Sequence, residues 1–283
     1  MHSRHSPRGC GPAAGGLLGS ALGPLSRRSA LGLLATAPLL VSRRAEAFGA
    51  SSLQDIAELQ LSRGTLSRPA AWARLLYELM EATSVEANPS SVLISPEDPQ
   101  LFEHPFAVLI GEGALPPQSP AAIEQLRRYL SYGGFLVFDD ASGSPDSAFA
   151  KSVRSLCSTL FPTRPMAPLP GDHSVFRAFF LLDAPVGRTA RSSVLEGVTI
   201  GPITPIMYVA NDLSGALDRG PDGRPKHAAV PGGEDQRREA LKLGINLLMY
   251  ALTSNYKHDQ AHVAELLREG KLLDLRLPSA VRP

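Results

Sequence analysis

Asp139 and Asp140 directly follow the apolar run 135–138. Adjacent acids in that place can hold a hard divalent cation or serve as a general base. They can equally close an Asx turn or face the start of a helix. A second candidate is His173, beside Asp172 in the stretch Leu169-Pro170-Gly171-Asp172-His173. A histidine next to an acid can act as acid, base or ligand. It can also be a loop residue whose neighbour caps the next helix. The third group is Asn211-Asp212, after the apolar stretch 203–209, with Glu196 in the stretch before it. Turn chemistry is the alternative there too.

Other motifs are missing. Gly111-Glu112-Gly113 and Gly133-Gly134 lack the glycine spacings that cradle phosphate. There is no G-x-S-x-G elbow and no H-E-x-x-H pair. Cys157 lies near the apolar stripe of a helix and reads as a small buried hydrophobe rather than a nucleophile.

The elements that must position these residues follow from periodicity. Residues 57–61 alternate, and 92–94 are a short strand candidate. Pro69 starts a helix with Trp72, Leu75, Leu76, Leu79 and Met80 on one face. Residues 106–110 and 135–138 are continuous apolar runs, as strands covered on both faces should be. Ser119 and Pro120 open a helix between them that stops at Gly133-Gly134. A helix with Phe149, Val153, Leu156 and Leu160 inward ends at Phe161-Pro162. Residues 162–172 read as irregular, and Val175, Phe176, Phe179 and Phe180 mark a short apolar helix or turn. Residues 194–200 and 203–209 are two further strands. Residues 213–235 read as a long surface loop, a candidate lid. A helix from about 234 to 254 follows, then a polar helix near 259–268 and a loose tail.

This alternation predicts an α/β fold: a three-layer α/β/α sandwich around a mostly parallel sheet. Ligands bind such sheets outside the carboxyl ends of the strands. Asp139, Asp140, Asp212 and His173 are therefore expected to gather there, within about 8 Å of one another.

Residues 1–47 read differently. Ser26-Arg27-Arg28-Ser29-Ala30-Leu31 opens a twelve-residue apolar run, 30–41. A bilayer span needs about 20 residues, so the run fits the core of a signal peptide. Arg43, Arg44 and the small-x-small site Ala45-Glu46-Ala47 follow, leaving Phe48 as the new N-terminus. The pattern resembles the twin-arginine export motif, with Ala30 where phenylalanine is preferred. The expectation is a signal peptide over 1–47, one domain over 48–283, a periplasmic destination and no transmembrane helix once the signal is removed.

Charge and cysteine count narrow the function. Residues 1–47 hold six of the 28 basic residues and one of the 27 acids, so the remainder carries 22 against 26, a net of −4. That balance offers no electrostatic footprint for nucleic acid. With Cys157 the only cysteine beyond Cys10, neither an internal disulfide nor a multi-cysteine zinc site can form in the mature part.

Several segments taken together resemble the bacterial family catalogued as domain of unknown function 4159. They are Leu101-Phe102-Glu103-His104-Pro105-Phe106, Leu126-Arg127-Arg128-Tyr129-Leu130, Gly133-Gly134-Phe135-Leu136 and Asp139-Asp140. Leu160-Phe161-Pro162, Leu169 to His173, Leu195-Glu196-Gly197, Asn211-Asp212, Gly244-Ile245-Asn246 and Tyr250-Ala251-Leu252-Thr253 complete the set, over roughly 53–256. The resemblance implies a flavodoxin-like fold similar to class I glutamine amidotransferases. In those enzymes a nucleophilic cysteine sits at a strand–helix elbow; the matching residues here are Asp139-Asp140-Ala141-Ser142, without one. The family brings no assigned reaction.

Two functions fit. One is a non-catalytic protein of the cell envelope that binds a small ligand or protein partner at the sheet edge. The other is a hydrolase, metal-assisted, with the carboxylates on a divalent cation or an attacking water and His173 as acid/base. No cofactor is identified by the residues themselves, and a divalent metal is compatible with them.

Overall fold

The computed structural model describes residues 53–268, with side chains to 254. The expected signal peptide and the closing tail lie outside the described residues.

Five parallel strands form the centre: β1 (Gln54–Leu59), β3 (Ala87–Ile94), β4 (Phe106–Gly111), β5 (Phe135–Asp140) and β8 (Ile203–Val209). Short β2 (Thr65–Leu66) runs antiparallel to the end of β4, opposite Gly111 and Ile110. β7 (Glu196–Ile200) forms an antiparallel hairpin with β8, and β6 (Ala167–Pro168) pairs with β7. The order across the sheet is β3-β1-β4-β5-β8-β7-β6. The expected mostly parallel sheet is therefore present, with an antiparallel margin.

Helices cover both faces because side chains along each strand alternate. Ile56, Val108, Val137 and Met207 face one core, built with α1 (Pro69–Ala82), α4 (Leu213–Leu217) and α5 (Gly233–Arg268). Ala57, Leu109, Phe138 and Tyr208 face the other, built with α2 (Pro120–Ser131) and α3 (Ala148–Leu160). Strands β4 and β5 are buried at every position, which explains their unbroken apolar runs.

Local chemistry sets the helix starts. Pro69 occupies the first turn of α1, where its missing N–H costs nothing. Ser119 caps α2 by accepting from Ala122 N at 3.0 Å, and Ser147 caps α3 by accepting from Ala150 N at 2.9 Å. The end of α2 is tight. A Cβ on Gly134 would stand 2.4 Å from the Tyr129 ring, whose hydroxyl donates to His104 O at 2.8 Å.

Several boundaries move. The first strand is 54–59 rather than 57–61, and β3 reaches back to Ala87. The last two expected helices are one, α5. The largest correction concerns the expected loop or lid over 213–235. Its first five residues are α4, and every one is buried. Leu213, Ala216 and Leu217 pack into the first core, so these five residues are no part of a surface loop or lid, while 218–232 is loop as expected. Among the described residues no helix is long and apolar enough to cross a membrane.

Candidate functional site

The carboxyl ends of β5 and β8 carry the acids. Asp139 and Asp140 are the last two residues of β5, so their side chains leave the sheet on opposite faces. Asp139 turns toward α4. It accepts from Leu213 N at 2.7 Å and Ser214 N at 2.8 Å, and takes the Ser214 hydroxyl as well. Those amides belong to the first turn of α4, which has no partners for them within the helix.

Asp212 caps the same helix, accepting from Gly215 N at 3.0 Å. Its backbone is left-handed, φ 56°, a conformation that aspartate tolerates better than most residues. Its two oxygens bind two guanidinium groups, Arg68 from the residue before α1 and Arg188 from the loop after the Pro-rich segment. Arg68 also donates to Ser214 Oγ at 3.0 Å. The backbone of Arg68 is held in turn: its N–H donates to Glu58 Oε2 at 2.8 Å, and buried Glu58 also takes the Ser91 hydroxyl.

Both rim aspartates are completely shielded from solvent. Burial pushes the Asp139 carboxyl up to about 6, the Asp212 charge adds to the rise, and Ser214 and Arg68 oppose it. Burial alone would lower the Arg68 guanidinium, but Asp212 and Asp139 outweigh it and raise it. His227 is lowered by its own partial burial and by Arg68, and stands 4.0 Å from Asp218. Lys226 pairs with Asp218 at 3.1 Å.

Asp140 builds the turn into α3 on the opposite face. It accepts from Ser142 N at 2.9 Å, from the Tyr208 hydroxyl at 2.7 Å and from the Ser147 hydroxyl. Burial first, then the hydrogen bond to Asp140 and the Asp140 charge, drive the Tyr208 phenol far up. Glu196 lies level with Tyr208 in the β7–β8 hairpin and takes a bidentate bond from Arg154 at 2.8 and 2.9 Å. Arg154 lies over the Tyr208 ring at 5.6 Å. Cys157 is buried in α3, and its thiol is pushed up to about 12 by burial. It is no nucleophile at neutral pH.

Asn211 spends all its capacity on one loop. Its Nδ2 donates to Pro185 O at 2.9 Å and Ser192 O at 2.7 Å, and its Oδ1 accepts from Arg191 N and Ser192 N. The loop lies close: a Cβ on Gly187 would meet Asn211 O at 2.1 Å. Gln236 ties it down from α5, donating to Gly187 O, Arg188 O and Val230 O.

The expected gathering of four residues is corrected. Asp139 and Asp212 do meet. Asp140 faces away from them, and His173 sits at the other end of the sheet. The His173 Nε2 is 3.1 Å from Thr204 Oγ1, at the amino end of β8, whereas Asp139 is level with Val209. Those five residues of strand separate the two levels by about 16 Å. His173 Nδ1 accepts from Val175 N, capping a short 3-10 helix (Ser174–Arg177), and burial lowers its pKa. Among the described residues no three His, Cys, Asp or Glu side chains cluster as metal ligands. The donor set expected of Asp139, Asp140 and Asp212 is not assembled.

Sequence reasoning missed Arg68, Arg188, Ser214 and Gln236. Arg68 left one signal, a charged residue just before a helix-opening proline. The other three left none.

The arrangement holds two buried carboxylates, two arginines and a helix start in one ionic lock. Lys226, His227 and part of Arg188 remain at its surface. No curated protein matches the chain. The family model described as a domain of unknown function (DUF4159) matches residues 55–252, so the chain belongs to that family.

Proposed function

We propose that the chain is an exported, non-catalytic protein of the bacterial cell envelope that binds a ligand or protein partner at the carboxyl rim of its sheet. One observation carries the reading: Asp139, Asp140 and Asp212 are each already bonded to internal donors. Asp139 serves α4, Asp212 serves Arg68 and Arg188, and Asp140 serves the turn into α3. None is left to activate water, and the elbow residues Asp140-Ala141-Ser142 offer no thiol. What the rim displays instead is two cations, Arg188 and Lys226, and the imidazole of His227, each partly exposed.

The strand order supports the finer fold assignment within this proposal. Numbered among the parallel strands alone, the order reads 2-1-3-4-5, the order of flavodoxin-like sheets. A class I glutamine amidotransferase-like scaffold without its cysteine fits that order. In flavodoxin-like sheets the ligand crevice opens between the first and third strands. Here β2 lies over the end of β4, and Gln60 bonds Leu66 O at 3.2 Å across the turn. The binding surface is accordingly placed over β5 and β8.

The test is capture from the envelope fraction with purified protein, wild type against Arg188→Glu and Lys226→Glu. A partner or ligand retained by wild type and lost with either reversal is expected. Retention unaffected by both reversals, or turnover of an amide or ester substrate by the wild type, contradicts the reading.

A further inference from the structure

A cavity lies at the opposite end of the sheet from the acids. It encloses about 610 Å³, within the roughly 300–1,000 Å³ typical of small-molecule sites. The walls come from both layers of helices. Leu130 and Phe161 close one side, Ala178 and Tyr250 the other, and Ile200 and Ile203 of the β7–β8 hairpin form the end.

These walls are preformed. The Tyr250 hydroxyl accepts from Thr204 N at 2.9 Å, and its ring packs 5.7 Å from Phe135 and 5.4 Å from His173. The segment carrying Ala178 is fixed by Asn246, which accepts from Phe179 N and Phe180 N and donates to Val175 O and Phe180 O. A site that needs no ordering on binding keeps more of its contact energy as affinity.

The charge pattern selects the occupant. No Asp or Glu lies among the described lining residues, and the one charged group there is Arg177. Arg177 is exposed, and its guanidinium has no ion pair or hydrogen bond among the described residues. Ser174 and Thr253 add hydroxyls to the lining. Phe179 and Leu181, just after Ala178 in the chain, are exposed apolar residues. An apolar chain with an anionic head matches this layout. The head would take a charge-assisted bond from Arg177 while the chain fills the wall of Leu, Ile and Phe.

We propose that this cavity is a second binding site, distinct from the carboxyl rim, and that it takes the acyl chain of a fatty carboxylate with its head on Arg177. The site shares no residue with the rim lock, so it stands or falls apart from the rim reading.

Calorimetric titration of the purified protein with laurate, and with uncharged decanol beside it, tests the proposal. Saturable binding of laurate is expected. Arg177→Gln should weaken laurate about tenfold, the value of one charge-assisted hydrogen bond, and leave decanol unchanged. Filling the space with Ile203→Trp should abolish both. Ser131→Trp, at an exposed position on the same wall, should weaken both if Ile203→Trp fails to fold. No laurate binding by the wild type overturns the proposal, as does laurate binding indifferent to Arg177→Gln and to the filling variants. Binding that emerges only in a full chain carrying Leu273→Glu and Leu275→Glu would assign the cavity to the chain's own carboxyl-terminal leucines, and overturns it too.

Discussion

At Asp139 two opposing effects meet. Burial disfavours its charge, while two backbone amides and a hydroxyl all donate to it and favour that charge. Asp139→Asn keeps the shape but turns a donor toward donors, so it should cost about 1–3 kcal/mol in denaturant unfolding. The pH dependence has a definite sign. A carboxyl raised to about 6 from 3.8 makes the folded state the better proton acceptor between those values. Its stabilising contribution is full below about 3.8 and lost as pH rises through about 6. Measured against Asp139→Asn, the wild type should therefore gain stability as pH falls across that window. A difference between the two that is flat with pH would refute the burial argument. The pairing of Asp139 with Asp212 was legible in the sequence, because both end strands of one parallel sheet. Their guanidinium partners were not. Arg68 and Arg188 sit outside any periodic stretch, and only the folded loop brings Arg188 back to the rim.

Among the elements, α4 shows how capping can make a helix that propensity does not. Its five residues, Leu213-Ser214-Gly215-Ala216-Leu217, are too few for a periodic signal, and Gly215 reads as a loop. Asp139 of β5 and Asp212, the residue before the helix, satisfy its first amides, and its apolar residues are buried. The longer helices were legible from caps and stripes alone, as at Ser119 and Pro120. His173 was misplaced for a reason of direction. The crossover helix α3 returns the chain to the amino ends of the strands, and the chain is still there at His173, before residues 185–192 cross to the carboxyl rim. Caps give a graded prediction. Ser119→Ala should cost about 1 kcal/mol. Ser147→Ala should cost more, because its hydroxyl also bonds buried Asp140, whereas the Ser119 hydroxyl also bonds Glu97, which is exposed. Urea unfolding of the two variants checks the ranking, and equal losses would mean that the Asp140 contact adds nothing. Gly187→Ala should disturb the rim loop without touching the core, since its Cβ would strike the Asn211 backbone. Faster amide exchange confined to residues 185–192 is the expected result, and unchanged exchange would count against the tight approach.

For the whole molecule, the described residues carry an ionic rim at one end of the sheet and an apolar cavity at the other. The proposed export route predicts that Arg27→Lys together with Arg28→Lys leaves the protein unprocessed in the cytoplasm. Material in the envelope that still begins at Phe48 in that variant would contradict it. The claim on which the functional reading depends is that the rim carboxylates are spent within the fold. Site-resolved carbon NMR titration of the Asp139 carboxyl, with and without magnesium or zinc, addresses it most directly. A midpoint near 6 that neither cation moves is expected. A midpoint that drops when either cation is added would show a carboxylate free to bind metal, and would contradict the claim.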